Sequence, residues 1–258
     1  MKKISKRLLL VVFTVLFAIK PNAGQGIGWY CIRNNEHKQP RLDSRLSIVE
    51  NYDVYWVDKN HKDMSDKEKV IYLTFDAGYE NGNVEKILEI LNEEKVQAGF
   101  FVLDNILIKN KDLIQKMLDN GHTIANHTLR HKDMSKMNSK EEFKAELESL
   151  EALYQREYGT EMVKIYRPPE GKFSEENLKW AQELGYKTVM WSFAYADWDN
   201  GRQMSTEKAK RKILDNIHNG EIMLLHPTSS TNAEIMRDII IELKNQGFRF
   251  GTLEELCL

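Results

Sequence analysis

From Val70 onward, short apolar runs alternate with longer amphipathic ones, and this alternation limits the folds open to the chain. Val70–Phe75, Ala98–Leu103, His122–Asn126, Val163–Tyr166, Lys187–Phe193, Glu221–Leu225 and Phe248–Gly251 read as strands. Between them, Gly82–Lys95, Leu107–Asn120, a segment from Ser139 to about Tyr158, Ser174–Leu184 and Thr206–Asn219 read as helices. Ser139-x-x-Glu142 and Thr231-x-x-Glu234 have the spacing of capping boxes, the second opening a last helix. Strands separated by helix-length crossovers pair in parallel. The expected fold is α/β, a distorted (β/α) barrel with fewer than eight regular units.

Polar residues recur where those strands end. Asp76, His127, Arg167, Asp197 and His226 each follow or close an apolar run. In such barrels the active site gathers at the C-terminal ends of the strands, so these five residues converge on one face if the alternation is read correctly.

The N-terminus reads separately. Lys2-Lys3-Ile4-Ser5-Lys6-Arg7 is basic, Leu8–Ile19 is continuously apolar, and Lys20–Gly24 breaks the run. This is the pattern of a secretory signal. As a helix the run spans about 18 Å, short of the ~30 Å hydrocarbon core of a bilayer. Pro21 is poor three residues before a cut following Ala23, so an uncleaved anchor is the alternative, and the only membrane association expected. In both cases the rest of the chain is exported. The expected organisation is a signal peptide or anchor over residues 1–23, an extension packed on the domain over 24–68, and the domain itself over 69–258. Net charge is −2, so no general basic surface offers itself to nucleic acid. Cys31 and Cys257 are the only cysteines; in an oxidising compartment they form a bridge or remain two thiols.

Taken residue by residue, the candidates leave alternatives open. His127 and His131 stand at i and i+4, and share a face if the segment is helical. Such a pair suits Zn²⁺ or a similar divalent ion, or is simply solvated. Asp76 is a metal ligand, a general base or a turn residue, although Gly78 and Asn81-Gly82 already supply turn chemistry. Arg167-Pro168-Pro169-Glu170-Gly171 is either a rigid loop or a device that aims an arginine at a carboxylate. His226 is a core histidine or a cleft histidine partnered by Asp197. Trp191 and Trp198 either pack on a sugar face or, for Trp191, fill the core.

In order, these residues resemble the polysaccharide deacetylases of the NodB-homology type, the fourth carbohydrate esterase family. Thr74–Gly78 resembles T-F-D-D-G, His127–His131 resembles H-[ST]-x-x-H, and Arg167–Gly171 is similar to R-x-P-x-G. Asp197-Trp198 resembles the end of D-x-x-D-W, and Leu224–His226 resembles L-x-H. The resemblance implies Asp76 as general base, Arg167 as its orienter, and His226 as general acid tuned by Asp197. It further implies His127 and His131 as ligands of one divalent ion and the backbone N–H of Glu170 as an oxyanion donor.

The chain departs from the pattern twice. Ala194 stands where D-x-x-D-W begins, and Ala77 replaces the Asp that would be the third metal ligand, so a weakly held ion is expected. Phe75–Gly82, Trp191–Tyr195 and His226-Pro227-Thr228 resemble a subgroup acting on peptidoglycan muramic acid and leading to muramic δ-lactam in spore cortex. The expected partner is a peptidoglycan glycan strand. Chitin-like oligomers, acetylated xylan and a non-catalytic glycan binder are the rival readings.

Overall fold

The computed structural model describes residues 26–258, so the signal or anchor expected over residues 1–23 lies outside the described residues. The strands are β1 (Ile27–Gly28), β2 (Val54–Tyr55), β3 (Lys69–Ala77), β4 (Gly99–Val102), β5 (Thr123–Asn126), β6 (Ile165–Tyr166), β7 (Lys172–Phe173), β8 (Lys187–Val189), β9 (Glu221–Leu225) and β10 (Phe248–Phe250). The helices are α1 (Asn83–Glu93), α2 (Asp104–Lys109), α3 (Lys111–Asp119), α4 (Lys140–Tyr158), α5 (Glu175–Glu183), α6 (Thr206–Leu214), α7 (Ser230–Asn245) and α8 (Leu253–Cys257). The main sheet runs β10-β3-β4-β5-β6-β8-β2, and β9 also pairs with β3. Every pair in it is parallel. A parallel bridge from Phe193 to Met223 closes the ring between the segment after β8 and β9. The result is a distorted (β/α) barrel, as the alternation predicts.

Strand alternation sorts β3 into two faces. Ile71, Leu73, Phe75 and Ala77 join the apolar layer between sheet and helices, with Val84, Ile87 and Ile240. Val70 and Tyr72 fall in the barrel interior with Phe101, Ile222 and Leu253. Thr74 and Asp76 share this inward register, which aims them up the barrel. The N-terminal end is plugged by α8: Gly99 opens β4 so close to Leu253 that an added Cβ would stand 2.4 Å from its side chain. Cys257 is buried in that plug while Cys31 lies by Ser192, and both are free thiols.

Several boundaries differ from those read in the sequence. The helix expected over Leu107–Asn120 is two helices, because Asn110 leaves helical geometry between them (φ −126°, ψ 49°). The Thr206–Asn219 helix ends at Leu214, where the Asn216 amide donates to the Lys212 carbonyl. The last long helix is capped by Ser229, whose hydroxyl accepts from the Asn232 N–H, while Thr231 donates to Met204 O. Ser139 does cap α4, but Glu142 accepts from Asn138 rather than closing the box.

Residues 26–68 fill the gap beside the irregular stretch after β8. Alternate side chains of one extended run meet its carbonyls: Trp29 Nε1 donates to Trp191 O (2.8 Å), Cys31 Sγ to Ser192 O (3.1 Å), and Arg33 Nη1 to Ala194 O (3.4 Å). Trp29 is buried against Trp56 and the underside of Gly171. Trp29→Ala removes this aromatic and its hydrogen bond, so urea unfolding should register a loss of about 3–5 kcal/mol.

Candidate active site

The C-terminal ends of β3, β5, β6 and β9 bring Asp76, His127, Arg167 and His226 to one mouth of the barrel. A cleft of about 610 Å³ there is lined by Asp76, His131, Glu170, Trp191, Trp198 and His226, among others. A narrower recess of about 180 Å³ reaches His127 and Tyr79.

Arg167 is buried to 0% exposure. Its Nη1 donates to Asp76 Oδ1 (2.8 Å) and its Nη2 to Thr74 Oγ1 (2.9 Å) and Met190 O (3.2 Å); Nε donates to Val189 O (3.0 Å). The guanidinium carbon lies 4.0 Å from the Phe101 ring centroid. Burial of this kind is tolerable only because every side of the group is met by an acceptor or a ring face. Asp76 Oδ1 is thereby fixed and Oδ2 is left for the cleft, 3.5 Å from His127 Nε2. Burial alone would raise the Asp76 pKa, but the neighbouring His127, Arg167 and His226 outweigh it and hold the carboxyl below its ordinary value.

His226 forms the second pair. Its Nδ1 meets Asp197 Oδ1 at 2.7 Å, and its backbone N–H donates to Asp197 Oδ2 (2.8 Å). Burial lowers the imidazole pKa, yet the Asp197 hydrogen bond and charge overcome this, with help from Asp76, and the net shift is upward. Asp197 is itself held by Asn232 Nδ2 (2.6 Å), and Asn232 is hydrogen-bonded in turn by the Tyr195 hydroxyl. Trp198 is 61% exposed and stands edge-on to His226, with ring centroids 6.2 Å apart. Trp191 has a double position, lining the cleft and packing on Gly171; that residue adopts φ +64°, and any Cβ there would stand 2.6 Å from the indole.

The His127–His131 segment is not helical, contrary to the condition under which the two rings share a helix face. A turn presents them, with Thr128 at φ 73° and His131 at φ 56°, both in the left-handed region. A β-branched residue rarely enters that region. Asn126 Oδ1 accepts from Thr128 N (2.8 Å) and Thr128 Oγ1 from His131 N (3.0 Å), which holds the turn. The ring centroids are 5.1 Å apart. Burial depresses the His127 pKa to about 4, so the ring is neutral at pH 7. Its Nδ1 is engaged by Arg167 O (2.9 Å), which leaves the Nε2 lone pair facing the cleft. A neutral imidazole oriented by a backbone carbonyl is the donor a divalent ion needs. His127 and His131 therefore fit such an ion as a pair. Among the described residues, no group of three His, Cys, Asp or Glu side chains is arranged to hold one. Ala77 is buried in the helix-facing apolar layer and brings no donor.

Glu170 also lies in the left-handed region (φ 56°) at the cleft wall, and among the described residues its N–H donates to no acceptor. Its carboxylate is paired with Lys172 Nζ at 2.6 Å. Sequence reading missed three contributors. Thr74 sits inside a motif already noticed, and only the fold shows its hydroxyl accepting from Arg167. Asn232 had no motif to mark it beyond an amide in the first turn of α7. Tyr79 lines the recess and accepts a hydrogen bond from Asn200 Nδ2 (2.8 Å).

Comparison with known proteins agrees with this geometry. Residues 63–189 match the polysaccharide deacetylase family. The chain is 37% identical over 231 residues to the peptidoglycan-N-acetylmuramic acid deacetylase PdaA of Bacillus subtilis, spanning 89% of this chain and 85% of that protein. This chain belongs to the polysaccharide deacetylases. The solved structure of Bacillus subtilis PdaA, a family 4 carbohydrate esterase, superposes with a TM-score of 0.83 at 36% identity, covering 90% of this chain and 97% of that one. A peptidoglycan-N-acetylglucosamine deacetylase of Bacillus cereus is 33% identical over 199 residues, 75% of this chain and 91% of that protein.

The direction of the His226 shift sets a pH test for this deacetylase. An imidazole with a raised pKa is protonated below that value and loses its proton as pH rises through it, so activity that needs the protonated form falls on the alkaline side. Asp197→Asn should move the alkaline limb of kcat to lower pH and reduce kcat by about 10²–10⁴-fold; an unmoved limb would assign it to another group.

Proposed function

We propose that the chain removes the N-acetyl group from muramic acid in peptidoglycan, releasing acetate on the route to muramic δ-lactam in spore cortex. The observation that carries this reading is the opposition of two charge pairs across one cleft: Asp76 with Arg167, and His226 with Asp197. The surroundings bias Asp76 toward its carboxylate and His226 toward its protonated form, the complementary biases of a base and an acid. The likeness to PdaA over most of both chains supports muramic acid as the sugar.

In this reading Asp76 Oδ2 takes a proton from water as the water attacks the amide carbonyl. Arg167 keeps Oδ1 occupied, so the proton is accepted on the oxygen that faces substrate. The Glu170 N–H donates to the oxyanion of the tetrahedral intermediate. With Nδ1 on Asp197, His226 gives the Nε2 proton to the departing amine, and acetate and the free amino sugar result. A divalent ion on His127 and His131, zinc or similar, supplies Lewis-acid polarisation when bound. Trp198 and Trp191 present apolar faces to the sugar. The freed amine then closes onto the lactyl carboxylate, with loss of water, where no stem peptide occupies it.

A signal peptide or anchor over residues 1–23, as expected from the sequence, would fit a cell-wall substrate outside the cytoplasm. A glycan binder without catalysis is the reading Ala77 would suggest. It gives no use for an aligned base and acid.

Acetate release from de-peptidated muramic glycan, beside chitooligosaccharide and acetylated xylan, separates these readings. We expect preference for the muramic glycan, and Asp76→Asn should abolish turnover while thermal unfolding stays cooperative. Retained turnover in that variant would remove Asp76 from the base role. Ala77→Asp should tighten metal binding in a calorimetric titration with Zn²⁺; an unchanged Kd would show that a carboxylate at this position does not reach the ion.

A further inference from the structure

Among the described residues, three aromatic side chains stand open to solvent: Tyr30, Tyr79 and Trp198. Tyr30 is covered on one face by the Arg45 guanidinium, 5.6 Å from its ring centroid. The other two line one recess, together with Asp76, His127, His131 and His226. Trp198 belongs to a recognised motif, whereas Tyr79 has no part in the acid–base steps.

A ring left 46% exposed forgoes the stabilisation of burial. The chain around Tyr79 is pinned so that the ring stays at the mouth. Asn105 Nδ2 donates to Gly78 O (3.2 Å) and Asn81 Nδ2 to Thr228 O (2.9 Å). The Glu80 carboxylate accepts from the Glu85 N–H (2.9 Å) in the first turn of α1. A Cβ on Gly78 would stand 3.0 Å from Leu103, another residue of the recess. The turn after β3 therefore presents the ring from a fixed backbone, and little freedom remains to be lost when a ligand packs on it.

Trp198 comes from the loop after β8, where Gln203 Nε2 donates to Asp197 O (2.9 Å) and Asp199 O (2.8 Å). The two loops meet where Asn200 Nδ2 donates to the Tyr79 hydroxyl (2.8 Å). That bond uses an acceptor position of the phenol and leaves its proton free: among the described residues the Tyr79 O–H donates to no acceptor. One ring from each loop, with a spare donor at the rim, suits a pyranose, which offers C–H faces to aromatic rings and hydroxyl oxygens to donors.

We propose that Tyr79 is a glycan-positioning residue. Its ring packs on a sugar of the strand and its hydroxyl donates to that sugar, so that Tyr79 and Trp198 together bring the acetamido group to Asp76. This rests on the glycan reading above, and its test measures binding apart from turnover.

Calorimetry gives the Kd for de-peptidated muramic glycan on Asp76→Asn, and on Asp76→Asn combined with Tyr79→Ala, Tyr79→Phe or Asn200→Ala. Tyr79→Ala should weaken binding about tenfold and Tyr79→Phe about threefold, while Asn200→Ala stays within about twofold. With Asp76 restored, Tyr79→Ala should raise KM by a similar factor, hold kcat within about twofold and leave the alkaline limb of kcat in place. An unchanged Kd, or a loss in Asn200→Ala as large as in Tyr79→Ala, would make Tyr79 a tie between two loops and overturn the assignment. A fall in kcat at constant KM would overturn it too. If wild type released no acetate but the Kd series ran as expected, the deacetylase reading would fall and the Tyr79 contact would stand. Neither acetate release nor glycan binding would overturn both.

Discussion

One buried guanidinium ties the architecture to the chemistry. Arg167 spends its hydrogen-bond donors on β3 through Thr74 and Asp76 and on the end of β8 through Val189 and Met190, and rests its face on Phe101 of β4. Its backbone carbonyl simultaneously fixes the tautomer of His127. A charge this deep costs several kcal/mol to desolvate unless its partners are in place, so the surrounding strands must hold their register for the residue to be tolerated at all. The same requirement aligns Asp76.

The His226 side of the cleft is held in a different way. Asp197 reaches His226 from an irregular loop after β8, and its aim comes from Asn232 and Tyr195 rather than from strand geometry. Local strain is concentrated around the cleft as well: Thr128, His131 and Glu170 all occupy left-handed backbone. Each such residue costs on the order of 1–3 kcal/mol and persists only where neighbours over-determine it. Here Asn126 and the Thr128 hydroxyl do so for the histidine turn.

The extension over residues 26–68 has an active-site consequence. The barrel closes beside β9 through isolated bridges, Phe193 to Met223 and Val57 to Glu221, rather than a ladder, leaving carbonyls at 191, 192 and 194 with spare acceptor capacity. Trp29, Cys31 and Arg33, at the period of an extended strand, supply donors to them without forming a ladder. A segment that looks like packing in sequence thus shapes one rim of the cleft.

Much of this was legible in the sequence. Alternating apolar runs fixed the parallel barrel, because strand and helix periods leave different apolar patterns. The strand-end positions of Asp76, His127, Arg167 and His226 picked out residues that do meet at one mouth, since strand C-terminal ends in a barrel share one face. The helix break at Asn110, the helix end at Leu214 and the cap at Ser229 were not legible, because several residues in each region had equal local claim. Nor was the histidine turn: i and i+4 spacing suits a helix, and the left-handed residues that replace it are paid for by side-chain contacts distant from any periodic signal. Sequence alone determined the fold class and the chemical inventory, through local periodicity and residue type. Tertiary structure alone decided that Asp76 keeps one oxygen free toward the cleft, that Asn232 stands behind Asp197, and that Arg33 meets the Ala194 carbonyl, because each depends on groups brought together from distant parts of the chain.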